Sequence, residues 1–502
     1  MSIVSFTSQL KHLKVVKVPY RFKHKDTHWS VVKKTKTHTT KALEHFDDFY
    51  DTVYGRLWPD VRTALLAKNN KYMAVVNNFS DTDRIAETLE NSGAINLRAI
   101  YKAQRQLLKS LEREKANQRK LNNLNKGIDE FHAASEQSLQ VQSSGFPDST
   151  DSKDETEEDS MYSNNSAVPA ELLSIAGSES SGNLDLDRII NPQNELSMSS
   201  LHQYVPATQL KGMEDYILES EHYDYYKKGS DLSIKVEKQR KLNFPEYLNI
   251  YTFEEENDTR FSSPRKGSTG VLDYYLLDGG SILPVLALDL RPNDHVLDMC
   301  AAPGGKTLIT LQTLLPDLIV ANDTTFSRVN RIKNVIDQYL DGMGQWDKKL
   351  VISQNDARAI GEQDKFNKIL VDVPCTTDRH SLHENDNNIF KPSRIKERLQ
   401  LPEMQTEILL NALKIIRPGG TVVYSTCSLS PIQNDGVVQM ALKKSWEETN
   451  SIFIVKNMSP SLHPLKCIYN LSRHGLKYGQ VLLPSLGNNF GPMYFCKIIK
   501  VR

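Results

Sequence analysis

Apolar positions return along this chain at several different rhythms. Between 42 and 132, Phe46, Phe49, Tyr50, Val53 and Tyr54 recur at helical spacing; Trp58-Pro59 interrupts the run and 61–66 resumes it, which predicts a helical N-terminal region. From 83 to about 132 the pattern is long, charged and weakly apolar. That suits a solvated helix or a coiled coil, and the a/d repeat is too broken to claim the second. Between 133 and 200 the rhythm stops. This stretch holds 16 serines, 13 acidic residues and two basic ones. It has too little apolar surface to offset its chain entropy and reads as a disordered Ser/acid-rich insert. Residues 201–243 read as a linker.

From 244 to 502 short apolar runs alternate with helical ones. The runs at 296–300, 318–323, 350–356, 368–375, 421–429, 452–458 and 494–501 predict strands. Those at 307–315, 328–339, 402–416 and 434–443 predict helices. The alternation implies an α/β domain with a doubly wound, Rossmann-like parallel sheet. Ligands of such sheets bind outside the carboxyl ends of the strands, where the strand order reverses.

Composition changes this picture in a few places. The 62 basic and 62 acidic residues cancel, which excludes a wholly basic nucleic-acid coat, but the charge is segregated. Residues 1–41 hold ten basic residues and one acid, Asp26, with no long apolar run. That is the composition of a mitochondrial transit peptide; a basic nucleic-acid-binding arm is the competing reading. All five cysteines, Cys300, Cys375, Cys427, Cys467 and Cys496, fall in the C-terminal half without a C-x-x-C pair. An odd number so spaced argues against a disulfide framework and against a structural zinc site. No apolar run reaches the ~18 residues of a membrane-spanning helix.

Residues 296–307 read V-L-D-M-C-A-A-P-G-G-K-T: a strand, a turn of small residues, then a helix. Gly304 and Gly305 leave backbone bare where a Cβ would obstruct a ligand, and the helix start offers free N–H groups. Gly305-Lys306-Thr307 matches the end of a phosphate-binding loop. That motif needs glycine five positions earlier, where Cys300 stands, so a nucleotide triphosphatase is disfavoured. Asp323 closes the next predicted strand 18 residues after Gly305. An acid there is placed for the ribose hydroxyls of NAD or of S-adenosylmethionine; an ordinary helix-capping Asp is the alternative. Asp356 closes a third strand in the same way. Asp298, inside the first strand, orders the loop or faces a ligand's charged end.

Asp372-Val373-Pro374-Cys375 ends the fourth predicted strand and Tyr424-Ser425-Thr426-Cys427-Ser428 the fifth. Taken singly, a buried cysteine is usually a small hydrophobe. Two thiols and a carboxylate at adjacent strand ends, beside a cofactor loop, instead suggest reactive groups. A-A-P-G-G-K-T, D-V-P-C-T and Y-S-T-C-S together resemble the Sun family of RNA cytosine-5 methyltransferases, over roughly 263–502. Within that family, D-V-P-C-T-T-D-R-H-S-L-H-E with the following N-N-I-F-K is similar to members acting on mitochondrial small-subunit ribosomal RNA. So are Gly491-Pro492-Met493-Tyr494-Phe495-Cys496, Lys71-Tyr72 and Asn77-Asn78-Phe79. The acidic insert departs from their pattern.

The resemblance implies a class I methyltransferase core that uses S-adenosylmethionine, no metal, and methylation of cytosine C5 through a covalent adduct at C6. It assigns Cys427 as nucleophile, Cys375 as the base or release group, and Asp372 to the cytosine edge and the neighbouring cofactor. It carries Gly304, Gly305 and Lys306 to the methionine end of the cofactor, Asp323 and Arg328 to the ribose, and Asp356 with Ala357 to the adenine. It implies a mitochondrial matrix enzyme with a helical-repeat partner of the mitochondrial transcription-termination-factor type. Charge points the same way: 241–502 holds 30 basic and 28 acidic residues, while RNA affinity rests largely on cationic contacts. The dense cluster Lys391, Arg394, Lys396 and Arg398 is either an RNA contact or a solvated helix face. Competing functions are methylation of another RNA such as tRNA, of DNA, protein or a small molecule on the same core, and a ribosome-assembly scaffold. The set Cys427, Cys375 and Asp372 argues against a scaffold alone.

Overall fold

The computed structural model describes residues 36–142, 219, 223 and 234–502, apart from 341–345 and 347. Residues 1–35 of the expected transit peptide and most of the expected insert lie outside these residues. Two sheets form, built from β1 (Tyr72–Val76), β2 (Ile95–Asn96), β3 (Val236–Lys238), β4 (Ile250–Thr252), β5 (Tyr274–Asp278), β6 (Asp294–Asp298), β7 (Pro316–Asp323), β8 (Leu350–Gln354), β9 (Phe366–Asp372), β10 (Ile416–Thr426), β11 (Phe453–Asn457), β12 (Leu471–Ser472), β13 (Gln480–Leu482) and β14 (Met493–Lys500).

The large sheet carries the doubly wound pattern. β8, β7, β6, β9 and β10 lie side by side and parallel, and β14 closes the row antiparallel to β10. On the far side of β14, β11 pairs with its C-terminal half and β13 with its N-terminal half. Strand order reverses between β6 and β9, so the ligand crevice opens outside their carboxyl ends. Alternation along β9 sends Ile369 and Val371 to one apolar layer and Leu370 to the other, as the pleat requires. Helix Ile395–Ile415 covers the first layer, and Ile282–Ala287 lies in the second.

The N-terminal region is mixed rather than all helical. Helices His38–Tyr54, Trp58–Leu66, Thr82–Asn91 and Leu97–Gln142 are interleaved with β1 and β2. β1 reads Y-M-A-V-V, with all but Tyr72 buried, a short apolar run whose periodicity cannot tell strand from helix. It lies at the centre of an antiparallel sheet of order β2-β4-β1-β5. Residues 133–142, expected in the insert, continue helix Leu97–Gln142. His38–Tyr54 starts from Thr37, whose hydroxyl accepts the Thr40 N–H at 3.2 Å, so folded structure begins before residue 42. Its Phe46, Tyr50 and Tyr54 are buried in the same layer as Val371 and Leu409.

Candidate active site

The loop after β6 is fixed by short-range contacts. Gly304 sits at φ 112°, a conformation that favours glycine, and its N–H donates to the Ala301 carbonyl at 2.7 Å. A Cβ on Gly305 would come within 3.1 Å of the Tyr275 hydroxyl on β5, so the small sheet presses against the loop. One Asp298 oxygen accepts the Thr307 hydroxyl at 2.7 Å and ties the strand end to helix Gly305–Gln312. The other is buried without a hydrogen-bond partner. Burial pushes the Asp298 carboxyl up to about 7.

Asp323, at the end of β7, faces this loop. Its carboxylate accepts the Ala302 N–H at 3.0 Å, the Thr324 N–H at 2.8 Å and Arg328 Nε at 2.6 Å. A carboxylate has about four acceptor positions, so capacity for another donor remains. Asp356 is placed differently. It is half-buried, accepts the Arg358 N–H to cap the turn Ala357–Ala359, and pairs with the Arg358 guanidinium at 2.7 Å. That hydrogen bond holds its carboxyl below the ordinary range. Ala357 is buried, and its carbonyl accepts Asn411 Nδ2 at 2.7 Å.

Neither thiol lies on a strand. β9 ends at Asp372 and β10 at Thr426, so Cys375 and Cys427 stand on the loops beyond. Their sulfurs are 3.2 Å apart, and both residues are half-buried. Each sulfur shapes the other's ionisation. The Cys427 S–H holds the Cys375 thiol below its usual range, while the Cys375 sulfur, burial and Asp372 push Cys427 up. Asp372 and Ser425 sit opposite each other in the β9–β10 register, and the Ser425 hydroxyl donates to Asp372 at 2.7 Å. The other Asp372 oxygen pairs with Lys306 Nζ at 2.7 Å. The sequence did not suggest this pair, which joins the cofactor loop to the thiol loops. Burial opposes the Lys306 charge, but Asp372 outweighs it and raises the ammonium's pKa. Lys306 also favours a thiolate on Cys427. Cys300 and Cys496 are buried, and burial raises both thiols.

A second acid, Asp378, stands inside the D-V-P-C-T-T-D motif, which by itself assigns it no task. It is fully buried and accepts Thr376 Oγ1 at 2.5 Å, the Tyr50 hydroxyl at 2.7 Å and the Leu429 N–H at 2.7 Å. Burial raises its carboxyl pKa, against the pull of these donors. One side chain therefore binds the Cys375 loop, the Cys427 loop and the N-terminal helix. Gln405 Nε2 holds the Pro374 carbonyl at 2.7 Å, and Gln433 Oε1 accepts the Thr376 N–H at 3.2 Å. Arg379, next to Asp378, reaches the Gly491 carbonyl, Asn70 and Asn489, each at 2.7 Å. The hydroxyl–hydroxyl–acid run Thr376-Thr377-Asp378 was the available signal, but its partners lie far away in sequence. In the basic cluster, Arg394 is paired with Glu397 at 2.6 Å and Arg398 lies 4.9 Å over the Phe390 ring. Two of its four cations are thus tied down.

An open parallel sheet with a glycine loop at its reversal point and an acid on the next strand is the plan of a class I methyltransferase using S-adenosylmethionine. Residues 285–462 match the model of the 16S rRNA methyltransferase RsmB/F family. The 5-cytosine rRNA methyltransferase nsun-4 of Caenorhabditis elegans is 34% identical over 478 residues, covering 94% of this chain and 94% of that one. The NSUN4 5-cytosine rRNA methyltransferase of Xenopus tropicalis is 32% identical over 463 residues, 92% of this chain and 90% of its own. Its namesake in Mus musculus is 45% identical over 255 residues, 50% of this chain and 66% of its own. The chain belongs to the Sun, or RsmB/F, family of RNA cytosine-5 methyltransferases.

Proposed function

We propose that the chain methylates C5 of a cytosine in mitochondrial small-subunit ribosomal RNA through a covalent bond from Cys427 to C6. The observation that carries this reading is the 3.2 Å contact between the two thiols, beside the Asp372–Lys306 pair at the strand reversal. Protein and small-molecule acceptors need no such pair. Two full-length relatives are named ribosomal RNA methyltransferases, which supports the substrate; the basic composition of 1–41 supports the compartment.

The residues fit S-adenosylmethionine. Gly304 and Gly305 keep backbone bare, and Asp298 presents a buried acceptor that an ammonium group would satisfy. Gly304, Gly305 and Lys306 would hold the methionine end, Asp323 and Arg328 the ribose, and Asp356 and Ala357 the adenine. When bound, the cofactor supplies an electrophilic methyl group.

The chain's own residues must make cytosine reactive, because its C5 is a weak nucleophile. Cys427 adds to C6 and gives the ring enamine character. The Cys427 sulfur lies 3.2 Å from Cys375, which accepts its proton as the C–S bond forms; Lys306 favours the charge left on Cys427. Asp372, held by Lys306 and Ser425, meets the cytosine edge and assists protonation at N3. After methylation the C5 proton must leave. Its first proton delivered to N3 in the Asp372-assisted step, Cys375 is a thiolate again and removes the C5 proton; the C6–S bond breaks and the departing Cys427 sulfur takes the N3 proton back. A basic helical-repeat partner would add phosphate contacts. Methylation by this site would support ribosome assembly.

Bisulfite mapping of mitochondrial RNA with and without the protein tests the proposal. We expect one small-subunit cytosine to lose its mark. Loss confined to tRNA would favour the alternative substrate, and no loss at all would contradict the activity.

A further inference from the structure

The catalytic domain is nearly neutral, yet a polyphosphate must be held over its crevice. Helix Leu97–Gln142 supplies charge that this domain lacks. Residues 97–128 hold nine basic residues and two acidic ones, Glu112 and Glu114. At roughly 100° per residue, Arg98, Lys102, Arg105, Lys109, Arg113 and Lys120 fall within about 80° of arc, in a row about 33 Å long. Every residue from Lys109 to Ile128 is exposed. Among the described residues, none of these six cations forms an ion pair, although Lys126 on another face pairs with Glu130 at 4.0 Å.

Cations at i and i+4, as in Arg98–Lys102, Arg105–Lys109 and Lys109–Arg113, repel one another along a helix. A row of them without counter-charges gains nothing for the fold and calls for an anionic partner. The start of the helix is anchored: Leu97 and Tyr101 are buried, and Leu97 follows β2 directly. β2 lies three strand spacings, about 14 Å, from β5, whose Tyr275 touches the cofactor loop. The apolar side of the helix, with Leu107, Leu111, Leu121, Leu124 and Ile128 exposed, is interrupted by Glu114, Gln118 and Asn125. It presents no continuous stripe for a bilayer or a coiled coil.

We infer that helix Leu97–Gln142 is an RNA-binding arm whose Arg98–Lys120 row lies along the phosphate backbone of the substrate, outside the catalytic crevice. This rests on the proposed RNA methylation. It places part of the phosphate contact within this chain and leaves the rest to a partner.

The test compares the full chain with the triple variant Lys102→Glu, Lys109→Glu, Arg113→Glu and with its Gln counterpart. Binding to a ribosomal RNA transcript is measured across a salt series, with methyl transfer by the wild type measured alongside. Thermal midpoint and S-adenosylmethionine affinity should not change. RNA affinity should fall about tenfold or more, and the slope of log K against log salt should shrink by about 2 to 3, at roughly 0.7–0.9 for each phosphate no longer neutralised. The Gln variant should show most of this loss. If the wild type methylates RNA and the variants bind it equally well, the arm is overturned while the methylation reading stands. Unchanged RNA affinity with lost binding to vesicles containing phosphatidylserine would make the helix a membrane arm and equally overturn the inference. A wild type that neither binds nor methylates the transcript would overturn both.

Discussion

The cofactor side and the thiol side of the crevice are built in different ways. On the cofactor side, Gly304, Asp298, Thr307, Asp323 and Arg328 are held by neighbours within about two dozen positions along the chain. On the thiol side, Asp378 draws on Tyr50, 328 positions away, and on Leu429, 51 positions away. Arg379 reaches Asn70 and Asn489. A local loop can assemble from its own sequence, whereas the thiol pair needs the N-terminal helix and the end of the chain in place. Substitutions should therefore separate the two sides: one set changing chemistry and stability, the other cofactor binding.

The largest effect should come from Cys427→Ala, which removes the proposed nucleophile. Methyl transfer should fall by at least about 10³-fold, in the range of other lost nucleophiles, with cofactor affinity within a factor of two or so. Loss of cofactor binding in that variant would mean that the two sides are not separable. Asp378→Asn should come next. It turns an acceptor-only group toward three donors, at a cost of about 2–4 kcal/mol in denaturant unfolding, and it should lengthen the distance between the thiols. Rapid alkylation measured against pH reads this directly: the thiol held low by its neighbour should return toward the ordinary range. An unchanged alkylation profile would reduce Asp378 to a purely structural tie. Tyr50→Phe leaves two of the three donors and should cost about 1.5 kcal/mol.

The smallest effect is expected on the cofactor side. The folded Asp298 carboxyl, at about 7, lies above its unfolded value of 3.8. Its contribution to stability is therefore full below about pH 4 and is lost as pH rises through 7. A bound ammonium would favour the ionised form, so S-adenosylmethionine affinity should weaken as pH falls below 7, by at most about tenfold per unit. Titration calorimetry should find this dependence in the wild type and a flat profile in Asp298→Asn. A flat wild-type profile would remove Asp298 from the cofactor's charged end.

What could be read from the sequence follows the same division. The parallel sheet and its strands came from apolar runs, and the glycine loop with Asp323 from spacing along the chain, because both are local patterns. β9 and β10 end earlier than the apolar rhythm predicts, since Val373 and Leu429 continue it into loops; both side chains are buried against the core layer. β1 lies where the sequence predicts helix, because a five-residue apolar run fits either period. The Lys306–Asp372 pair and the Asp378 network were invisible, since the bonded partners lie 53 or more positions apart in all but two of their bonds. The arm's pattern predicts a charged helix, whereas its lack of counter-charges is a property of the fold.

The division of labour between the two thiols is the central claim, and trapping on RNA tests it most directly. Each single variant is incubated with S-adenosylmethionine and a ribosomal RNA transcript, then separated on a denaturing gel. Cys375→Ala should accumulate a covalent protein–RNA adduct: the variant lacks the sulfur that raises the Cys427 thiol, so Cys427 ionises beside Lys306 without that acceptor and still attacks, while release is blocked. Cys427→Ala should form none. An adduct in Cys427→Ala, with none in Cys375→Ala, would show that the thiol held low by its neighbour is itself the nucleophile and that the roles are reversed.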